Sequence, residues 1–404
     1  MARLLIVTDT TFYRRGGEVL DNFCFDRRFF DDYCAEFEEV RVAARVSDEP
    51  PVGPLHRADG EGLAFVDLLP ARGVRWTLAP WRRYCRALET AVAAADALCL
   101  RLPGVAGWHA ARLAAGRPMM FELIGDPLAT ALGSPQARIY GLLQHRRTRW
   151  ILRRCALGSY VSADHLQQRY PAAGGAATAA ISSIRLERGW LRPPRTAPGR
   201  DDRLQLIHVG SFLPVKNQAL LVEAMRLARD AGLPLSLRLV GDGETRGAIE
   251  RLMQVHGLGD RIELSGHLAG PERVMAAMAA ADVLVLPSWS EGLPRVALEA
   301  MAAGLPVLGS DVPGIRQLLP AWLLFDPASA ASLLERCRML RDGEHYRAAA
   351  AHGSRKVAEF TSDVLSGRRR RLLAELRRLA AISGRERPTS AEVALAPASA
   401  ERPG

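Results

Sequence analysis

At 404 residues the chain exceeds what one ordinary hydrophobic core supports, so two domains are the first expectation. With 48% hydrophobic and 24% charged residues, and no run of ~18 apolar residues, the composition excludes disordered, fibrous and membrane-spanning classes. The formal net charge of +10 is uneven: residues 1–200 carry 28 arginines against 20 acids, the remainder 26 basic residues against 24 acids. An acceptor or a membrane surface is therefore expected to meet the first half.

In chain order, an apolar strand pattern over 3–8 is followed by a loop holding Gly16 and Gly17. The apolar run at 4–7 stops at Asp9, too short for a secretory core of ~7–15 residues, so the chain reads as cytoplasmic. Six scattered cysteines (Cys24, Cys34, Cys85, Cys99, Cys155 and Cys337) contain no C-x-x-C pair. They argue against zinc and against a disulfide framework, and read as small buried hydrophobes in a reducing compartment.

Further strands are expected over 39–44, 97–101 and 119–124, with a helix over 82–95, an alternation that means a parallel sheet. The segment from Arg138 to Arg154 holds six arginines and no acid, with Trp150, Ile151 and Leu152 interleaved. Such a segment suits anionic lipid headgroups and equally suits a solvated face. The proline-rich stretch 192–200 reads as an interdomain linker.

Beyond it, short apolar runs of the buried-strand type fall at 204–209, 235–240, 262–264, 283–286 and 307–308, with helices over 218–231, 245–256, 271–281 and 294–303. This is an α/β domain of doubly wound type, whose ligand belongs outside the carboxyl ends of its strands. The glycines of 241–247 have the wrong spacing for a dinucleotide fingerprint and read as turn residues. The run 368–371, four arginines, reads as a solvated helix face. The resulting division is a first domain at 1–192, a linker at 193–202, a second domain at 203–355, a helical segment at 356–383 packing back on the first domain, and a Pro/Ala/Ser-rich disordered tail at 384–404.

The chemistry concentrates in 287–306, PSWSEGLPRVALEAMAAGLP. A strand ends at Pro287, a polar loop follows, and Pro294 occupies the expected first helical position. Glu291 then lies in the loop at the strand's carboxyl end and Glu299 in the helix's second turn, so both carboxylates can line one crevice. The free amides of Gly292 and Leu293 at the helix N-terminus suit an anion. The loop 209–217 (VGSFLPVKN) presents Lys216 to the same edge; only Lys216 and Lys356 are lysines among 54 basic residues, so a compact point charge is wanted there. Carboxylates for sugar and ribose hydroxyls, with amides and a cation for a diphosphate, suit a sugar nucleotide. No D-x-D motif is present, so the economical expectation is a metal-free site in which Lys216 stabilises the leaving diphosphate.

The pattern E-G-L-P, four residues, E-A-M-A-x-G-x-P resembles the E-x7-E signature of glycosyltransferase family 4, with Glu291 and Glu299 in its two positions. The resemblance spans about 110 residues, from the VGSFLPVKN loop through VGDGE (240–244) and SGHL (265–268) to 312–315; FELIGDP, VSADHLQQRYP and ISSI more faintly resemble bacterial exopolysaccharide members. It implies a GT-B fold, two Rossmann-like domains facing each other across a cleft, and a retaining transfer of a hexose from a UDP- or GDP-sugar to a saccharide or polyprenyl-linked acceptor.

It further implies that Glu291 contacts donor-sugar hydroxyls, Gly292 and Leu293 the phosphate and sugar, and Glu299 the ribose. Lys216 would bind the diphosphate with Gly210 beside it, Gly17 would approach from the first domain, and His267 and Leu268 would border the nucleobase. His267 as an ordinary polar residue and Gly16–Gly17 as a mere turn are the competing readings. Two departures stand out: Ser211 replaces the family's frequent arginine, and Gly125 its frequent histidine, leaving Glu122 and Asp126 as acceptor-side candidates. The rival functions are a sugar-nucleotide epimerase or phosphorylase of the same fold, and a non-catalytic nucleotide-sugar-binding partner.

Overall fold

The computed structural model describes residues 2–22, 25–51, 55–68, 78–128, 135–199, 203–268 and 270–385. The first domain contains β1 (Arg3–Arg15), β2 (Glu18–Asp21), α1 (Asp31–Glu36), β3 (Glu39–Ser47), β4 (His56–Arg57), β5 (Leu63–Asp67), α2 (Leu78–Ala93), β6 (Ala97–Leu102), α3 (Val105–Leu113), β7 (Met119–Leu123), α4 (Pro135–Leu152), β8 (Leu157–Tyr160), α5 (His165–Arg169) and β9 (Ala177–Ala180). Its parallel core runs β5-β3-β1-β6-β7-β8-β9, with β2 and β4 added antiparallel on the far part of β1. Leu98, Cys99, Leu100, Met120 and Phe121 are fully buried, as strands covered on both faces require.

One expectation fails here. The first strand does not end at residue 8; it continues to Arg15 and turns through Gly16 and Gly17 into β2, with Tyr13 opposite Leu20 and Arg15 opposite Glu18. Positive φ at both glycines (+60° and +88°) makes a two-residue turn whose twist matches the flanking strands.

The second domain contains β10 (Leu204–Val209), α6 (Gln218–Asp230), β11 (Leu235–Val240), α7 (Arg246–Val255), β12 (Ile262–Gly266), α8 (Pro271–Ala279), β13 (Val283–Leu286), α9 (Arg295–Ala302), β14 (Val307–Ser310), α10 (Pro313–Arg316), β15 (Leu324–Phe325), α11 (Ala330–Met339) and α12 (Gly343–Val357). Its strands are parallel in the order β12-β11-β10-β13-β14-β15. The order reverses between β10 and β13, and the loops leaving those strands hold Lys216 and Glu291; a crevice outside such a reversal is where ligands bind in open α/β sheets.

The proline-rich stretch is stitched to the second domain: Arg192 N donates to Ala302 O (2.7 Å), Arg195 N to Gly304 O (3.1 Å) and Gly199 N to Asp282 Oδ1 (2.6 Å). A last helix, α13 (Ser362–Arg385), returns to the first domain and buries Leu372, Leu373, Leu376 and Ala380 in its core. The arginine run on it is not wholly solvated. Arg369 has a side chain only 12% exposed and pairs with Asp32 at 2.7 Å, because α13 lies along α1. Most of the tail and Cys24 lie outside the described residues.

Candidate active site

The Lys216 loop is built by backbone. Phe212 is fully buried and anchors it, its N–H donating to Asp242 O (2.9 Å), and Gly241 must be glycine because a Cβ at its φ of +137° would lie 1.9 Å from Gly210 O. A short 3-10 turn over Pro214–Lys216 then ends at Asn217, whose left-handed backbone (φ +54°) starts α6. The Asn217 amide donates to Pro287 O (3.1 Å) and Pro327 O (2.9 Å), and Trp289 N donates to Val215 O (2.8 Å). These bonds tie the loops after β10 and β13 into one unit.

Within that unit Lys216 Nζ donates to Glu291 Oε1 at 2.6 Å, and Ser288 Oγ donates to the same oxygen at 2.6 Å. The loop is held from behind by α10: a Cβ at Gly314 would sit 2.1 Å from Glu291 O, and Gln317 Nε2 donates to Gly292 O (2.9 Å). Gln317 Oε1 also accepts from Ala163 N of the first domain (2.8 Å), bridging the cleft. Beneath the pair, His208 is buried on β10 and its Nδ1 lies 2.9 Å from Val285 O. Burial pulls its pKa down to about 4, so the imidazole is neutral at ordinary pH.

Pro294 is the residue before α9 rather than its first, and Glu299 lies in the helix's second turn. Burial raises the Glu299 carboxyl above its usual range, against the pull of Arg295. Gly210 stands at the end of β10, its N–H donating to Val240 O (3.0 Å). His267 is exposed, and Leu268 lines a separate shallow depression with Arg238, Glu263 and Arg273 rather than the cleft.

Between the domains lies a cavity of about 540 Å³. The second domain contributes Gly292, Leu293 and Arg295; the first contributes Thr10, Tyr13, Glu122, Ile124 and Ser182 among others, and α13 adds Arg369. Its floor is a buried charge network. Tyr33 donates to Glu122 Oε1 (2.5 Å) and Arg101 donates to Glu122 Oε2, while the Arg101 guanidinium lies 5.2 Å from the Phe29 ring and that of Arg369 5.6 Å from it. Burial, reinforced by the Glu122 charge, pushes the Tyr33 hydroxyl well above its usual range. Burial works against the charge on Arg369, but Tyr33, Glu122 and Asp32 outweigh it and hold the guanidinium charged.

Of the two acceptor-side candidates, Glu122 is thus in the cleft and Asp126 is not among its lining residues. Asp126 is committed to structure, accepting from Tyr170 Oη (2.6 Å), Leu128 N (2.9 Å) and Arg169 Nε (3.0 Å). Gly17 does not line the cavity either; it is exposed in the hairpin turn, which accounts for the glycine by itself. At Gly125 a Cβ would meet nothing within 4 Å, so the backbone does not demand glycine there and the absent side chain leaves open space. Tyr33, Arg101, Arg295 and Arg369 escaped sequence reasoning. The signal for Arg369 was a helix with Leu372, Leu373 and Leu376 on one stripe, which buries its neighbours too. Among the described residues, no three His, Cys, Asp or Glu side chains are grouped to hold a metal ion.

Residues 195–357 match the family described as glycosyl transferases group 1. EpsF of Bacillus subtilis is 39% identical over 110 residues, a match covering 27% of this chain and 28% of EpsF. WcaL of Salmonella typhimurium, named for colanic acid biosynthesis, is 33% identical over 159 residues, 36% of this chain and 38% of WcaL. The matches thus span well under half of either relative's length. The crystal structure of HepE from Anabaena in complex with UDP and glucose superposes with a TM-score of 0.65 at 16% identity, over 93% of this chain and 100% of that one. Together with two parallel sheets facing a common cleft, the likeness to HepE makes the fold GT-B.

Proposed function

We propose that this chain is a retaining glycosyltransferase of family 4 that moves a hexose from a UDP- or GDP-sugar to a saccharide acceptor in cell-surface polysaccharide synthesis, without a metal ion. The observation that carries this reading is the Lys216–Glu291 pair at 2.6 Å, whose loop runs directly into the cavity-lining Gly292 and Leu293. A sugar held by Glu291 is then adjacent to an acceptor in the cavity. The name of WcaL supports the polysaccharide setting, and the UDP held by HepE supports the donor class.

In the proposed step the bond between the anomeric carbon and the β-phosphate oxygen breaks, and its electron pair leaves with the nucleoside diphosphate. The acceptor hydroxyl oxygen bonds to the same face of that carbon and passes its proton to the departing phosphate oxygen. Lys216 faces the growing phosphate charge, and the α9 N-terminus adds amide donors. Glu291 holds sugar hydroxyls and orients Lys216; Glu299, kept more readily protonated by burial, meets the ribose. Gly210 lets the diphosphate approach.

The test is a thermal-shift panel of UDP, GDP and ADP on the wild type and on Lys216→Ala, followed by product NMR with the responsive sugar nucleotide. A nucleotide at 100 times its dissociation constant stabilises by about 2.7 kcal/mol. A shift lost with Lys216, and an α-linked product from an α-linked donor, is expected. Absence of any shift sinks the donor site, and an inverted product sinks the retaining mechanism.

A further inference from the structure

The outward face of α4 is apolar where a solvated helix would be polar. Ile139, Leu142 and Leu143 are 61%, 55% and 46% exposed, and Tyr140 beside them is 55% exposed. At 3.6 residues per turn, 139, 142, 143 and 146 fall within an arc of about 100°, opposite the inward Gln144, Thr148 and Ile151. Further along that face the apolar side chains give way to Arg146, Arg149 and Arg153, and Arg154 stacks 3.8 Å over the Trp150 ring. No acid interrupts residues 138–154.

We infer that this face of α4 docks the protein on an anionic lipid bilayer. Three bulky aliphatic side chains in successive turns enter the headgroup–acyl boundary, and the arginines, with no acidic neighbour on the helix to satisfy them, meet lipid phosphates. Charge decides the occupant: an acidic bilayer complements the arginine cluster, whereas a second copy would set one arginine cluster against another. The docking face belongs to the domain that contributes most of the cavity's lining, since α4 is the helix after β7 and Ile124, the residue following β7, lines the cavity.

The inference goes beyond the proposed reaction and is tested without turnover. The full chain is sedimented with vesicles of phosphatidylcholine, with or without phosphatidylglycerol. The expected result is binding to the phosphatidylglycerol vesicles that falls at least about tenfold in Ile139→Ser/Leu142→Ser/Leu143→Ser. In Arg146→Gln/Arg149→Gln/Arg153→Gln, residual binding should become insensitive to salt. Leu142→Glu alone, a surface change, reads the same loss should the triple variant not fold. Equal sedimentation of wild type and Leu142→Glu overturns the inference, as does no binding to either vesicle. A wild-type dimer that Leu142→Glu dissociates, seen by sedimentation velocity, assigns the face to a second copy instead and overturns it equally.

Discussion

The two domains share an α/β plan but organise charge in opposite ways. In the second, the ionic pair at the sheet edge reaches solvent mainly through Lys216, with Lys216 27% and Glu291 10% exposed, and the backbone of two loops sets its position. In the first, Arg101 and Glu122 are 7% and 6% exposed at the cavity floor and depend on each other. An edge pair is free to exchange partners with a ligand, whereas a buried pair must stay satisfied for the domain to hold. Substitutions in the first domain are therefore expected to act on stability, and those in the second on turnover.

The largest expected effect sharpens the first half of that contrast. Glu122→Leu takes the carboxylate from Arg101 and Tyr33, where the Arg101 and Glu122 side chains are only 7% and 6% exposed, and should destabilise by about 3–5 kcal/mol in chemical denaturation. Adding Arg101→Met should recover part of the loss, since the buried charge goes with its partner. A loss under about 1 kcal/mol for Glu122→Leu would break the comparison. Next in size, Lys216→Ala should slow turnover by about 10²–10³, comparable to removing one group that meets developing charge, with the melt almost unchanged. Equal damage to stability would make Lys216 a scaffold residue.

How much of this was legible differs between the domains for the same physical reason. Strands 204–209, 235–240 and 283–286 are read to the residue because each is short, either alternates or runs apolar, and is ended by Gly or Pro. Lys216 and Glu291 stand on the loops those strands release, so locating the strands locates the site. The first domain hides its site. Tyr33, Arg101, Glu122 and Arg369 come from four elements up to 336 positions apart, and no local pattern links them. The end of β1 is hidden because its pairing with β3 breaks after Val7, at the polar Thr8, Asp9 and Thr10, and resumes only over Thr11 to Tyr13. A hairpin extension of a parallel strand has no periodic signal beyond alternation, and a glycine pair there resembles a phosphate loop as closely as a turn.

A third prediction tests whether the second domain also contains one buried group that controls stability. His208 titrates at about 4 when folded and near 6.5 when unfolded, because burial opposes its charge. Between those values the unfolded chain binds more protons, so stability rises with pH across the window and is lost on acidification. The loss from pH 6.5 down to 4 should reach about 3 kcal/mol. His208→Gln should flatten that part of the curve in denaturation at stepped pH. An unchanged slope would place the titration elsewhere.

The smallest effect separates position from conformation in the Lys216 loop. Asn217 contributes two amide bonds and a left-handed backbone, and the two contributions can be removed in turn. Asn217→Gly keeps the backbone and drops both bonds, leaving two carbonyls to find other donors, at about 1–2 kcal/mol. Asn217→Ala adds the left-handed penalty, about 1 kcal/mol more. If the loop's backbone positions Lys216, both variants should raise KM for the sugar nucleotide several-fold while kcat falls less than in Lys216→Ala. Stability lost without any rise in KM would mean that Lys216 finds its place through Glu291 alone, and that the edge pair organises the loops rather than the loops the pair.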